Sequence, residues 1–238
     1  MKKKSAELLI TPEKASIIEM PKAMHRRNFL VQLGFGASAA AFLAACKKDD
    51  DNNNKPDDAI DLGSGDPGIL NYAYALEQLE AAFYTQVISS PFSGITASET
   101  ALLTDIRDHE IAHREFFKTA LGSAAIPALT PNFSSINFGD RSSVLGAAKT
   151  FEDLGVAAYN GAGKLIQSED YLLLAGKIVS VEARHAAYIR DLISNGSFAD
   201  NTAVDANGLD KALPPSEVLM AASGFLTSKI YGGNLPTA

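Results

Sequence analysis

LNYAYALEQLEAAFYTQ (70–86) and DHEIAHREF (108–116) are the stretches whose reading decides the fold. The first carries Glu77 and, seven residues on, Tyr84. Seven residues is nearly two α-helical turns, so both side chains lie on one helix face. The second carries Glu110-Ile-Ala-His113, a Glu and a His three apart, which a helix also presents to one side. The same residue types return in the same order further along. FEDLGVAAYNGA (151–162) holds Glu152 and Tyr159, and VEARHAAYI (181–189) holds Glu182 and His185. The step from first to second Glu is 33 residues in one half and 30 in the other. A single Glu-x-x-His is common by chance. Two of them, each preceded by a Glu-x6-Tyr segment at matched distance, form a repeated design.

Working outward, these motifs fall in four long apolar-periodic segments, roughly 67–88, 98–121, 142–167 and 169–194. Ala, Leu, Glu and Ile dominate them and proline is absent from their interiors, which favours helix. Asp66-Pro67 has the form of a helix start, with Asp as N-cap and Pro at the first helical position. Ser98-Glu99 and Asp140 are the expected starts of the second and third helices, and Asn195-Gly196 the stop of the fourth. No stretch reads as a strand. The connections run short, long, short: SSPFSGITA, then GSAAIPALTPNFSSINFGD with two prolines, then a few residues around Gln167-Ser168-Glu169. That alternation predicts two antiparallel helix hairpins joined by one crossover.

In such a bundle Glu77, Glu110, Glu152 and Glu182 lie on faces otherwise made of Leu, Ile, Val, Ala and Phe. Four buried, unpaired carboxylates would cost many kcal/mol or stay protonated. Two divalent cations balance them, and neutral imidazoles add one nitrogen to each. Oxygen and nitrogen donors without thiolate suit iron or manganese. A bridging carboxylate would hold the ions about 3.5–4 Å apart. Downstream of residue 45 the only histidines are His109, His113 and His185, and two of the three fall in the pattern. His109 points about 100° away from Glu110, a surface or outer position. Glu80, three residues from Glu77, competes with it as a ligand; the seven-residue match to Tyr84 favours Glu77. Tyr84 and Tyr159 read equally well as core aromatics with satisfied hydroxyls.

The four quoted segments resemble the ferritin-like superfamily of dimetal carboxylate proteins. More narrowly, they are similar to the bacterial ferritin-like domain family that includes desiccation-associated proteins. The resemblance covers about 66–194. It implies an all-α, ferritin-like four-helix bundle. It also implies two metal ions, with iron ahead of manganese: Glu77 and Glu152 as terminal ligands, Glu110 and Glu182 as bridges, His113 and His185 each capping one metal, and Tyr84 and Tyr159 behind the ligands.

The flanks read differently. Residues 1–45 have a Lys-rich start, the pair Arg26-Arg27 before Phe29-Leu30, and the apolar run FLVQLGFGASAAAFLAA (29–45), the order of an export signal. The twin Arg resembles a Tat-type signal. Leu43-Ala44-Ala45-Cys46 resembles a bacterial lipobox, with Cys46 as the lipidated residue; as the only cysteine it excludes an internal disulfide. The polar stretch over 46–65 reads as a flexible tether. Residues 196–238 read as a C-terminal extension with a short helix beginning at Pro215 and packing on the bundle. Beyond residue 45 the chain holds 14 basic and 25 acidic residues, which argues against a nucleic-acid partner.

These features predict an exported, membrane-anchored lipoprotein, periplasmic or at the cell surface, able to form homo-oligomers. Three functions fit: a di-iron oxidase or ferroxidase using dioxygen or hydrogen peroxide, a dimanganese catalase-like enzyme, and a non-catalytic envelope protein of the desiccation-stress kind. Redox cycling would need an external electron donor, because the chain carries no Cys-rich electron-transfer module.

Overall fold

The computed structural model describes residues 55–237; the expected signal segment and Cys46 lie outside them. Four long helices dominate: α1 (Gly65–Ser89), α2 (Ala97–Leu121), α3 (Arg141–Gly163) and α4 (Glu169–Ile193), followed by the short α5 (Pro215–Ala222). α1 packs on α2, α3 packs on α4, and α1 meets α3. The connections at 90–96 and 164–168 are short, and the crossover at 122–140 is long. This is the ferritin-like four-helix bundle with an added C-terminal helix. No helix of the described residues is long and apolar enough to cross a membrane.

Local chemistry sets the helix ends. α2 starts one residue earlier than Ser98 suggests, because Thr96 and Glu99 form a capping box. Asp140 caps α3 by accepting from the Ser142 amide, and Ser168 caps α4. α3 stops at Gly163 rather than running to 167. Asp66 is not the cap of its own helix. Ser64 holds that position, and the Asp66 carboxylate instead accepts from the backbone amides of Gln167 and Ser168, both at 2.8 Å. It therefore ties the start of α1 to the α3–α4 turn.

α1 is the central element: every residue from Gly68 to Ala81 is buried. Its polar side chains are consequently engaged. Asn71 donates to the carbonyls of Leu62 and Ala124 and accepts from the Ile126 amide. Gln78, two turns on, accepts from the Leu129 amide at 2.8 Å. The two amide side chains thus clamp the start of the crossover along α1.

The ends of the described chain correct two expectations. Ile60–Asp61 (β1) pairs in parallel with Ile230–Tyr231 (β2). Leu62 is fully buried and Ala59 nearly so. The stretch 46–65 is therefore not a tether throughout, and a strand exists where none was expected. Ile60 and Leu62 supply the apolar contacts, and their amides donate to the tail carbonyls of Lys229 and Tyr231. α5 packs against α3, as the sequence leads one to expect. Just before it, the Leu213 amide donates to the Ala157 carbonyl at 3.0 Å. This approach requires Gly161, since a Cβ there would lie 1.8 Å from the Leu213 oxygen.

Candidate metal centre

All four long helices send side chains to one point in the bundle core. Glu77 from α1, Glu110 from α2, Glu152 from α3 and Glu182 from α4 have no solvent exposure, and His185 is 5% exposed. Helical spacing does the placement: Glu110 and His113, like Glu182 and His185, are one turn apart and face the same way.

The donor atoms form two groups, each compact enough to hold one ion: Glu77, Glu110, His113 and Glu182, and Glu110, Glu152, Glu182 and His185. Glu110 and Glu182 belong to both. His113 Nδ1 lies 2.9 Å from Glu182 Oε1 and 3.4 Å from Glu77 Oε2. His185 Nδ1 lies 2.8 Å from Glu110 Oε1 and 3.5 Å from Glu152 Oε2. None of these close approaches has the geometry of a hydrogen bond. Glu77 Oε2, Glu152 Oε2, both oxygens of Glu110 and of Glu182, and both histidine Nδ1 atoms are buried without a hydrogen-bond partner. Buried polar groups in folded proteins are almost always paired. Eight converging orphans of oxygen and nitrogen type are what a pair of hard or borderline divalent cations would satisfy, so the residues fit the group.

The outer carboxylate oxygens are taken. Tyr84 on α1 donates to Glu152 Oε1 on α3, and Tyr159 on α3 donates to Glu77 Oε1 on α1. The sequence places each Tyr on the same face as the Glu of its own helix; the structure pairs each with the Glu of the other. His109 lies outside the donor groups, stacked on His185 at 5.2 Å between ring centroids and with its Nδ1 2.9 Å from His185 Nε2. With that contact on Nε2, the His185 ring turns Nδ1 toward the carboxylates.

Electrostatics shows the strain of collecting so many acids in one dry place. Burial pushes the carboxyls of Glu77 and Glu152 up to about 7. Burial and the neighbouring carboxylates hold Glu182 well above the usual range. Glu110 goes the other way: burial opposes it, but the flanking His113 and His185 outweigh that and hold it at about 2. Against their own burial, the surrounding carboxylates raise His113 to about 12 and His185 to about 10. Without a cation, the centre balances its charge with protons, and a cation must displace them.

Glu80 is a fifth buried carboxylate, 3% exposed, and it belongs to neither donor group. Burial, then Glu182 and the other acids, hold it well above the usual range. Its counterpart in the second half, three residues after Glu152, is Gly155, and a Cβ there would lie 3.0 Å from Glu80 Oε1. Glu80 therefore occupies space that the glycine leaves open. The mismatch is visible in the sequence when the halves are aligned on Glu77 and Glu152, but its consequence is not.

Comparison with known proteins gives the same fold. A search of the curated proteins finds no match. The sequence profile of the ferritin-like domain matches residues 65–195, the span from the first residue of α1 to just past the last of α4. With four helices, the long crossover and a match over more than half of its length, the chain belongs to the ferritin-like domain family.

Proposed function

We propose that this protein is a dimetal carboxylate oxidoreductase that holds two iron ions and reacts with dioxygen or hydrogen peroxide. The observation behind this reading is the pair of four-residue donor groups sharing Glu110 and Glu182. Two shared carboxylates would hold two cations close enough to act on one small molecule. Iron in such a site supplies one-electron steps at each ion and open positions for an oxidant. The chain's own residues do the rest. Glu110 and Glu182 would be shared between the two ions, Glu77 and Glu152 would each complete one side, and His113 and His185 would contribute one nitrogen apiece. Tyr159 and Tyr84 hold the outer oxygens of Glu77 and Glu152 and so fix which oxygen faces inward. The apolar shell, with Phe83, Leu103, Phe151 and Ile189 almost fully buried, keeps bulk water out.

The reading of residues 1–46 adds the setting: an exported protein held at a membrane by lipid on Cys46, with an external electron donor if the centre redox-cycles.

Elemental analysis of the protein, purified without added metal or chelator, tests the proposal. About two iron ions per chain are expected, with anaerobic Fe(II) addition filling any shortfall. Combining Glu110→Ala with Glu182→Ala removes both shared ligands and should abolish loading. Two metals retained in that double variant would sink the assignment. Two manganese ions in the wild type would direct the chemistry to peroxide dismutation instead.

A further inference from the structure

The two halves of the bundle repeat the donor pattern, yet they pack differently beside it. Phe83 and Ala158 are counterparts, each six residues after the first Glu of its half and one before the Tyr. Beside Tyr84, Phe83 fills the space, with its ring centroid 5.0 Å from those of Tyr84 and Phe151 and 5.9 Å from that of Phe133. Beside Tyr159 the counterpart is an alanine, and a cavity of about 30 Å³ opens.

The position of this cavity follows from helical spacing. Ala73 lies four residues before Glu77, Phe117 four after His113, and Ile178 four before Glu182, and all three line it. It is thus one turn from the donor group of Glu77 and His113, along the bundle. Tyr159 forms its inner end, and behind the ring the hydroxyl is bonded to Glu77. Its other end reaches half-buried residues of α2 and α4, Ala120 and Ala175.

The wall exposes only apolar atoms to the cavity. A water molecule needs two to four polar partners to stay in such a place, and small apolar cavities remain dry. Hydrogen peroxide has the same requirement. A small apolar molecule does not. The nearby Tyr72 hydroxyl is buried and unpaired, a single group that falls short of solvating either polar species.

We infer that this cavity is a binding site and entry path for dioxygen, delivering it past Tyr159 to the metal position formed by Glu77 and His113. The inference rests on the dimetal oxidase reading and narrows it, since it assigns dioxygen rather than peroxide to this route. Ala158 leaves the gap beside Tyr159, and the aromatic packing around Phe83 fills the equivalent space on the other side.

Two measurements test it. Crystals of the wild-type protein pressurised with krypton, an apolar stand-in visible by anomalous scattering, should show a peak between Ala158 and Phe117. No peak there, in a protein that oxidises Fe(II) with dioxygen, would overturn the path and leave the oxidase reading intact. The second measurement installs the counterpart residue. Ala158→Phe should keep two metals per chain and slow oxidation of bound Fe(II) by dioxygen by about tenfold or more. Its oxidation by hydrogen peroxide should proceed at the wild-type rate. Equal dioxygen rates in variant and wild type would overturn the inference. Should Ala158→Phe fail to fold or load metal, the krypton experiment on the wild type decides alone. A krypton peak in a wild-type protein whose iron is inert to dioxygen would overturn the oxidase reading and reduce the cavity to a packing gap.

Discussion

His109 shows how a residue outside the donor groups controls one inside them. Its contact with His185 Nε2 leaves Nδ1 as the atom facing Glu110 and Glu152. Outer-shell partners of this kind are typically worth about 10–100-fold in metal affinity. His109→Ala is therefore expected to weaken the His185 position by that factor and to spare the His113 position, so that calorimetric titration shows one strong and one weakened step. Uniform weakening of both steps would mean that His109 acts through the fold instead. Tyr84 gives a second residue-scale test. Among the described residues, its hydroxyl gives the one hydrogen bond to Glu152 Oε1. Tyr84→Phe leaves a buried acceptor unpaired and should lower the unfolding free energy by about 1–3 kcal/mol in urea titrations of the chelated protein. Glu80 was a rival to Glu77 in the sequence because both lie on adjoining parts of one helix face. Only the rotation of α1 against the other three helices brings Glu77 into a donor group and leaves Glu80 over Gly155.

At the scale of elements, the helix ends were legible where a cap is local and misread where it is not. Asp140 accepts from an amide two residues away, so its role follows from its own neighbours. Asp66 has the form of a cap but bonds to amides about a hundred residues distant, which no local pattern announces. Gly161 belongs to the same class. Within the sequence it is an unexceptional glycine near a helix end. In the structure it admits the Leu213 backbone to the α3 surface. Gly161→Ala should displace the segment leading into α5 and cost stability at the upper end of the about 1–3 kcal/mol typical of overpacking. Thermal unfolding would measure this, and a change within a few tenths of a kcal/mol would mean that the segment relaxes freely.

For the whole molecule, the centre couples folding to pH and to metal. Glu77 and Glu152, ordinarily near 4.5, are raised to about 7 by burial. A raised carboxyl contributes stability that is full below its unfolded value and lost as pH rises through its folded value. Between pH 4.5 and about 7 the chelated protein should therefore lose stability as pH increases. His113 and His185, raised by the surrounding carboxylates, act in the same direction at higher pH. Glu110 acts oppositely, but only below its ordinary 4.5. Cations replace these protons, so the rise in Tm on metal loading should be larger near pH 8 than near pH 5, with protons released on binding. Scanning calorimetry at both pH values, with and without metal, checks this. An equal rise at both would remove the imidazoles and buried carboxyls from the site.

The sequence by itself determined the four helices, the crossover between hairpins, and the six residues that meet in the core. Each depends on spacing within one helix: three residues for Glu-x-x-His, seven for Glu to Tyr, and the apolar period that turns these faces inward. The tertiary structure alone decided the exchange of tyrosines between α1 and α3, the place of Glu80, the strand pair that ends the presumed tether, and the cavity beside Ala158. All of these arise where segments far apart in the chain come into contact. Their geometry is set by how whole helices pack, and local spacing carries no record of that.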